Sequence, residues 1–289
     1  MAKIIDGEKI ANDIREEVKA DVVELQKEGI TPGLATVLVG ENPASKVYVN
    51  MKEKDSASVG FYSKRVDLPE DTSEDDLLKL VDSLNNDDKI HGILVQVPLP
   101  KHINEGKVIL AINPEKDVDG FHPVNVGKMV IGEDTFLPCT PYGIDQLLIR
   151  YDIETKGKNA VIIGRSNIVG KPMAIILMQK KKGADATVTV VHSATENLAE
   201  ITRKADIIVT AMGVVGFLKA DMVKDGAVVI DAGINRTEDG RLVGDVDYDA
   251  VEPKASYITP VPGGVGPMTR AMLLVNTLTA AKKLNGKGN

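Results

Sequence analysis

One stretch of the sequence, residues 159–173, constrains the fold more than any other. The apolar run Ala160–Ile163 predicts a buried strand, Gly164–Ser166 interrupts it, and a helical pattern begins near Gly170 or Pro172. A strand, a tight turn and a helix start gather free backbone N–H groups at the positive end of a helix dipole. The turn therefore predicts a phosphate site. A serine replaces the second glycine of the usual G-x-G-x-x-G pattern, so a turn without a ligand stays an alternative.

The rest of the chain repeats this alternation of strand and helix. Apolar periodicity predicts strands at 34–39, 62–68, 90–97, 160–164, 186–191, 207–211, 228–232 and 256–259. It predicts helices at 7–27, 43–59 (capped by Asn42 or Ser45), from Thr72 and Ser73 onward, at 105–112, from the cap pair Thr140-Pro141 onward, and at 269–284. Residues 113–137 carry turn formers and charge without a clean period, so we expect a domain boundary there or shortly after. The pattern indicates an α/β fold with mostly parallel sheets covered by helices.

Composition excludes several classes of protein. The 289 residues carry a net charge of -7, which argues against a nucleic-acid partner. No run approaches the roughly 20 apolar residues of a membrane span, and the first residues do not resemble a secretory signal, so we expect no membrane association. The single cysteine, Cys139, fits a reducing cytoplasm. The four histidines share no metal-ligand spacing, and we expect no metal.

The second strand of the later βα series bears on which cofactor binds. It ends in His192 and Ser193, with no carboxylate to hold an unmodified ribose, while Arg165 lies in the preceding phosphate turn. Arg165, Ser193 and His192 are suited to a ribose 2′-phosphate, which favours NADP over NAD. The alternative is that His192 and Ser193 only end a strand. The segment Asp231–Asn235 also ends a strand, where Gly233 and Ile234 are expected near the nicotinamide.

Four weaker signals lie outside that series. Tyr48 and Lys52 are four residues apart on a predicted helix and so share a face, although such a pair is more often solvated. Gln96 is a polar residue at the end of a buried strand, where an edge position is the simple explanation. Asp117 and Asp119 are explained equally by a solvated turn. The turn at 259–269, T-P-V-P-G-G-V-G-P-M-T, would let a flat ligand approach the backbone closely.

Taken in this order, the segments resemble the bifunctional methylenetetrahydrofolate dehydrogenase/methenyltetrahydrofolate cyclohydrolase family. The matching segments span nearly the whole chain, and the turn at 259–269 is close to diagnostic; they are Ser45–Lys54, Gly92–Pro100, Pro114–Gly120, Pro138–Pro141, Gly164–Pro172, Asp231–Asn235 and Tyr257–Thr269. Arg270, directly after the turn, is a small local difference.

The resemblance implies a role for each matching residue. Lys52 would be the catalytic lysine, Tyr48 would position the folate, Gln96 would hold Lys52, and Asp119 would anchor the pterin. The folate site would be completed by Val95, Val97, Pro262, Gly263, Gly264 and Val265. NADP would be bound by Gly164, Arg165, Ser166, Ser193 and Ile234.

The resemblance also implies an organisation and an activity. Residues 1–118 would form a folate-binding catalytic domain completed by a C-terminal helix at 270–289, and 119–269 a Rossmann-type NADP-binding domain, with the active-site cleft between them. The enzyme would oxidise 5,10-methylenetetrahydrofolate and hydrolyse the methenyl product to 10-formyltetrahydrofolate. We expect a cytoplasmic homodimer that acts on tetrahydrofolate derivatives, including those of purine biosynthesis. Two alternatives stay open: a dehydrogenase without the hydrolysis step, and a non-catalytic NADP-binding protein on the same fold.

Overall fold

A computed structural model describes residues 1–237 and 239–287, and it divides the chain into two compact units. The six-stranded unit comprises residues 1–12 and 138–269, and the three-stranded unit comprises residues 13–137 and 270–289. We name each unit after its main sheet. Gly288 and Asn289, the last two residues of the predicted helix 270–289, lie outside the described residues.

The three-stranded unit is built on a short parallel sheet. Strand β2 (Gly33–Val39) lies between β3 (Tyr62–Leu68) and β4 (Gly92–Val95) and is buried along its whole length. A parallel strand buried on both faces requires the continuous apolar run that predicted it. The helices of this part of the chain are α1 (Gly7–Lys27, whose first turns belong to the other unit), α2 (Pro43–Ser58), α3 (Glu74–Asn85), α4 (Glu105–Ala111) and α5 (Pro123–Ile131).

The six-stranded unit is also parallel. Its strands are β1 (Lys3–Ile4), β5 (Asn159–Ile163), β6 (Thr187–Val191), β7 (Ile207–Thr210), β8 (Val228–Asp231) and β11 (Tyr257–Ile258), in the order β1-β11-β8-β7-β5-β6. A separate hairpin joins β9 (Asn235–Arg236) and β10 (Leu242–Val243). The helices are α6 (Cys139–Arg150), α7 (Gly170–Met178), α8 (Leu198–Thr202), α9 (Tyr248–Val251) and the first residues of α10 (Val265–Leu284). Because β6 and β7 flank β5 on opposite sides, the sheet has its topological switch point at β5.

The N-terminal residues 1–12 belong to the six-stranded unit. Strand β1 pairs with β11, and the Lys3 ammonium lies 5.5 Å from the ring centres of both Tyr151 and Tyr257. The backbone N–H of Asp6 also donates to the Tyr151 hydroxyl at 2.7 Å. The chain passes from the three-stranded unit to the six-stranded unit between residues 137 and 138. The functional domain bounds 1–118 and 119–269 stay a prediction.

All eight predicted strands are confirmed, and so are the predicted helices. Four of the strands are one or two residues shorter than predicted, and β4 is four residues shorter. Helix α5 is the main omission. Its buried positions are Asn125 and Met129, while Val124, Val130 and Ile131 are exposed. The apolar side chains therefore do not mark the buried face of this helix. The buried Asn125 amide is satisfied by the carbonyl of Pro114, the Asp117 carboxylate and the Thr135 hydroxyl. Hydrogen bonds rather than apolar burial fix this helix.

Two helix starts also differ from prediction. Asn42 caps α2, accepting from the N–H groups of Ala44 and Ser45, but Thr140 does not cap α6. Pro138 occupies that cap position without a side-chain hydrogen bond, and the Thr140 hydroxyl instead lies 2.9 Å from that of Thr269. Helix α10 begins at Val265, four residues before the predicted start. In the part of the chain that the structure describes, no helix is long and apolar enough to cross a membrane.

Candidate functional site

Lys52 and Gln96 are brought together by α2 and the end of β4. The buried side of α2 is formed by Ser45, Val49 and Ser56, and Tyr48 and Lys52 are half-buried one helical turn apart. Lys52 Nζ donates to Gln96 Oε1 at 3.1 Å. This contact joins two residues that the sequence analysis paired only through the resemblance.

The orientation of the Gln96 amide follows from its second hydrogen bond. Its Nε2 donates to the carbonyl of Val97 at 2.7 Å, so Oε1 is the atom that faces Lys52. The backbone N–H of Gln96 donates to the Val37 carbonyl at 2.8 Å, which ties it to the central strand. Gln96 therefore offers Lys52 a neutral, rigidly held acceptor rather than a carboxylate.

The two aspartates of the 117–119 turn have different environments. Asp117 is buried and accepts hydrogen bonds from the N–H of His122 and the side chain of Asn125, both at 2.8 Å, so it organises the turn. Asp119 is half-buried and lines a narrow cavity together with Val95 and Val97. Three of the predicted folate residues thus share one cavity within the three-stranded unit.

An ion-pair cluster follows Lys52 by one turn of α2. The Asp55 carboxylate lies 2.9 Å from Arg270 Nη1 and 3.5 Å from Arg15 Nε. Arg270, the local difference in the sequence, therefore binds α10 to the helix that carries Lys52. The Ser56 hydroxyl also donates to the Lys52 carbonyl at 2.9 Å.

The other predicted folate residues lie in the six-stranded unit. Pro262 is exposed, Gly263 is half-buried, and Gly264 and Val265 are buried. The Gly263 carbonyl accepts from the N–H of Glu8 at 3.0 Å, which anchors the turn to the start of α1. Val265 is the first residue of α10 rather than part of the turn.

The predicted phosphate turn joins β5 to α7. Gly164 has φ +123°, and a Cβ there would lie 2.4 Å from the Ala211 carbonyl oxygen, so only glycine fits. The sequence predicted free backbone N–H groups in this turn, but two of them already have a hydrogen-bond acceptor within the turn. Ser166 Oγ accepts from Val169 N at 3.1 Å and from Gly170 N at 3.4 Å, so a side chain of the turn already binds two of the N–H groups at the start of α7.

Two N–H donors face one another beside this turn. His192 Nδ1 accepts from the N–H of Ala194 at 3.2 Å, so a neutral His192 carries its proton on Nε2. That Nε2 lies 3.4 Å from the exposed Arg165 Nη1, which is also a donor. Two donors at this separation are poorly satisfied by each other and well satisfied by a shared anionic oxygen. Ser193 is exposed in the same turn. The arrangement fits a phosphate.

Ile234 is exposed, as a cofactor contact would be, whereas Gly233 is buried. The approach of Gly233 to the nicotinamide stays a prediction. A Cβ on Gly233 would lie 2.3 Å from Asp245 Oδ1, so the space is taken by a buried carboxylate. Burial is the main cause that raises the pKa of Asp231 above its ordinary value, and the neighbouring Asp245 charge adds a smaller rise. Three backbone hydrogen bonds to the Asp231 carboxylate oppose this rise. Nothing in the local sequence pattern marks Asp245 as a residue of the site. Within residues 1–237 and 239–287, no group of three acidic, His or Cys side chains is arranged to hold a metal.

Comparison with protein families matches both parts of the chain. Residues 5–119 match the tetrahydrofolate dehydrogenase/cyclohydrolase catalytic domain, and residues 138–285 match the NAD(P)-binding domain of the same family. The protein described as bifunctional protein FolD from Oceanobacillus iheyensis is 56% identical over 285 residues, which are 99% of each chain.

Solved structures give the same result. The bifunctional FolD methylenetetrahydrofolate dehydrogenase/cyclohydrolase from Campylobacter jejuni superposes with a TM-score of 0.95, at 50% identity over 98% of this chain and 100% of that one. The Trypanosoma brucei enzyme, solved with NADP cofactor and an inhibitor, gives a TM-score of 0.93 at 41% identity, covering 98% of both chains.

Proposed function

We propose that this chain, which belongs to the tetrahydrofolate dehydrogenase/cyclohydrolase family, catalyses two successive reactions. The first is NADP-dependent oxidation of 5,10-methylenetetrahydrofolate to the 5,10-methenyl cation. The second is hydrolysis of that cation to 10-formyltetrahydrofolate. Residues 13–137 contribute the catalytic lysine, and residues 138–269 contribute the cofactor site.

The observation that carries the proposal is the hydrogen bond from Lys52 Nζ to Gln96 Oε1. A half-buried lysine held by a neutral amide is arranged for proton transfer and not for a structural ion pair. A purely structural lysine at this position would gain more stability from a carboxylate partner, because a hydrogen bond to an ionised acceptor is stronger than one to a neutral amide.

The oxidation demands orientation more than acid–base chemistry. A hydride leaves the one-carbon bridge and a cationic methenyl group remains, so no proton has to be removed. NADP, when bound, supplies the hydride acceptor. Tyr48 and the cavity side chains Val95, Val97 and Asp119 orient the folate, and Pro262, Gly263, Gly264 and Val265 complete its site.

The hydrolysis requires proton transfers. Water adds to the methenyl carbon and loses one proton, which gives a neutral hydroxyl adduct. The ring carbon–nitrogen bond then breaks as the formyl C=O forms: the hydroxyl gives up its proton and the ring nitrogen takes one, so the overall reaction releases one proton. The Lys52 amine accepts the proton of the attacking water, while Gln96 keeps Nζ in place. General acid–base catalysis of this kind contributes about 10²- to 10⁴-fold in rate.

We assign NADP to the turn between β5 and α7. Gly164 lets the chain turn at the end of β5, because only glycine fits beside the Ala211 carbonyl, and the exposed Ser166, Ser193 and Ile234 extend the site. The facing donors of Arg165 and His192 suit the 2′-phosphate, which distinguishes NADP from NAD.

Initial rates with methylenetetrahydrofolate and each nicotinamide cofactor test the proposal. We expect NADPH formation, higher kcat/KM with NADP⁺ than with NAD⁺, and decay of the methenyl intermediate when its absorbance is followed separately. A dehydrogenase alone would accumulate methenyltetrahydrofolate. A non-catalytic protein would bind NADP⁺ tightly without turnover, and that result would contradict the proposal.

We also propose a cytoplasmic homodimer whose product donates formyl groups in purine biosynthesis. The single thiol, Cys139, is free and buried, which suits a reducing compartment. Strand β6 forms one edge of its sheet with Val190 exposed, and such an edge favours pairing with a second copy. A solution mass near 31.0 kDa by light scattering would contradict the dimer.

A further inference from the structure

Two carboxylates that the proposed chemistry does not use are buried at the carboxyl ends of β7 and β8. Asp231 is the last residue of β8 and Asp245 follows β10; they are 3% and 0% exposed. Both carboxylates accept hydrogen bonds from backbone N–H groups; Asp231 also accepts from a hydroxyl, and Asp245 also accepts from a side-chain amide. A carboxylate bound by neutral donors of this kind holds the surrounding backbone in place.

Asp245 joins two loops that leave adjacent strands. Its Oδ2 accepts from the N–H groups of Met212 at 2.6 Å and Gly213 at 3.1 Å. Its Oδ1 accepts from the N–H of Val214 and from Asn235 Nδ2, both at 2.9 Å. One side chain thus fixes three successive amides after β7 and the side chain that follows Ile234.

Asp231 fixes the backbone that carries Asp245. It accepts from the N–H groups of Asp245 at 3.0 Å and Val246 at 2.9 Å, and from the Thr210 hydroxyl at 3.0 Å. A Cβ on Gly244 would lie 1.9 Å from Asp231 Oδ2. The close packing leaves Asp245 one position, so the loops that it holds have little freedom.

The topology assigns these loops to one half of a dinucleotide. In a sheet of this topology a dinucleotide binds across the switch point, here β5. Arg165 and His192, to which we assign the 2′-phosphate of the adenosine, lie 3.4 Å apart on the β6 side. The nicotinamide half therefore lies on the side of β7 and β8. Three apolar side chains on the loops there are exposed: Val214 at 47%, Val215 at 55% and Ile234 at 49%.

We propose that Asp245 is a positioning residue for the nicotinamide half of the cofactor, an inference that rests on the proposed function. Its carboxylate fixes the loops after β7 and β8, and these loops present Val214 and Ile234 to the nicotinamide. Asp245 itself does not touch the cofactor. Its loss weakens the contacts of the nicotinamide and leaves those of the adenosine unchanged.

The test compares two ligands of the intact chain, NADP⁺ and adenosine 2′,5′-bisphosphate, which contains only the adenosine end. In Asp245→Asn an amide NH₂ replaces one carboxylate oxygen and faces backbone N–H donors. We expect the Kd of NADP⁺, measured calorimetrically, to rise about tenfold or more, as for the loss of hydrogen bonds to a charged group. The Kd of the bisphosphate should stay unchanged.

Asp247→Asn is the matched control, because Asp247 lies two residues away and pairs with the exposed Lys219 at 3.0 Å. It should change neither constant. If Asp245→Asn does not fold, Asn235→Ala removes one donor to Asp245 and should produce a smaller change of the same kind. Equal weakening of both ligands, or unchanged NADP⁺ binding, would overturn the inference. Wild-type protein that binds neither ligand would instead refute the proposed function itself.

Discussion

At the scale of single residues, the candidate site depends on which atom of a polar group faces its partner. The Gln96 amide is oriented by its bond to the Val97 carbonyl, and this leaves an oxygen for Lys52. The His192 ring is oriented by the N–H of Ala194, and this leaves a donor beside Arg165. In both cases a backbone group determines what the side chain offers a ligand.

The arrangement of Arg165 predicts a change in cofactor preference. Arg165→Ala should raise the KM for NADP⁺ about ten- to hundredfold, because a charged hydrogen-bond donor to the 2′-phosphate is lost. The KM for NAD⁺ should stay nearly constant, since NAD⁺ lacks that phosphate. Arg165→Lys keeps the charge without the forked geometry, so its KM for NADP⁺ should lie between those of the wild type and Arg165→Ala. Steady-state kinetics with both cofactors provide the measurement, and equal loss with NAD⁺ and NADP⁺ would refute the assignment.

At the scale of elements, polar side chains join α3 to the three-stranded sheet. Lys116 Nζ donates to the carbonyl of Asn85, the last residue of α3, at 2.8 Å and to the carbonyl of Asp87, just beyond the helix, at 3.0 Å. His91 Nδ1 accepts from the N–H of Gly33 at 3.0 Å, at the start of β2. Burial lowers the pKa of His91 below its ordinary 6.5, and the nearby Lys116 charge adds to the shift. His91 is therefore neutral in the folded protein.

This environment predicts a pH dependence of stability. Unfolded chains take up a proton at His91 as the pH falls through 6.5, whereas the folded protein takes it up only at lower pH. The free energy of unfolding therefore decreases as the pH is lowered from above 6.5 to the pKa of the folded protein. His91→Leu should lose this component and should also destabilise the protein by about 1–3 kcal/mol at pH ~7.5, because the Gly33 N–H is left unsatisfied. Urea unfolding at pH ~7.5 and ~5.5 measures both effects.

The exposed His102 provides the control for that experiment, since its ring contacts only the Thr72 carbonyl at 2.8 Å among the hydrogen bonds described. His102→Leu should keep the pH slope of the wild type. A slope unchanged in His91→Leu would show that other groups carry the dependence.

At the scale of the whole molecule, the sequence predicts what apolar periodicity determines. The eight strands and the helices flanking them follow from buried faces, and the matching segments identify the family. What it does not predict is determined by polar contacts between distant residues. Helix α5 buries Asn125 instead of an apolar residue. Thr140 bonds to Thr269, 129 positions away, instead of capping its helix. Asp245 acts on amides more than 30 positions away. Local patterns carry no signal for such pairings.

The central claim is that one chain carries out two reactions and that Lys52 serves mainly the second. The most direct test measures NADPH formation and methenyltetrahydrofolate decay separately in Lys52→Met, with Lys54→Met, an exposed lysine on the same helix, as the control. We predict that Lys52→Met hydrolyses methenyltetrahydrofolate at least about 100-fold more slowly, the lower range for loss of a general base. Its hydride transfer should fall less, and Lys54→Met should resemble the wild type. Hydrolysis at the wild-type rate in Lys52→Met would contradict the claim.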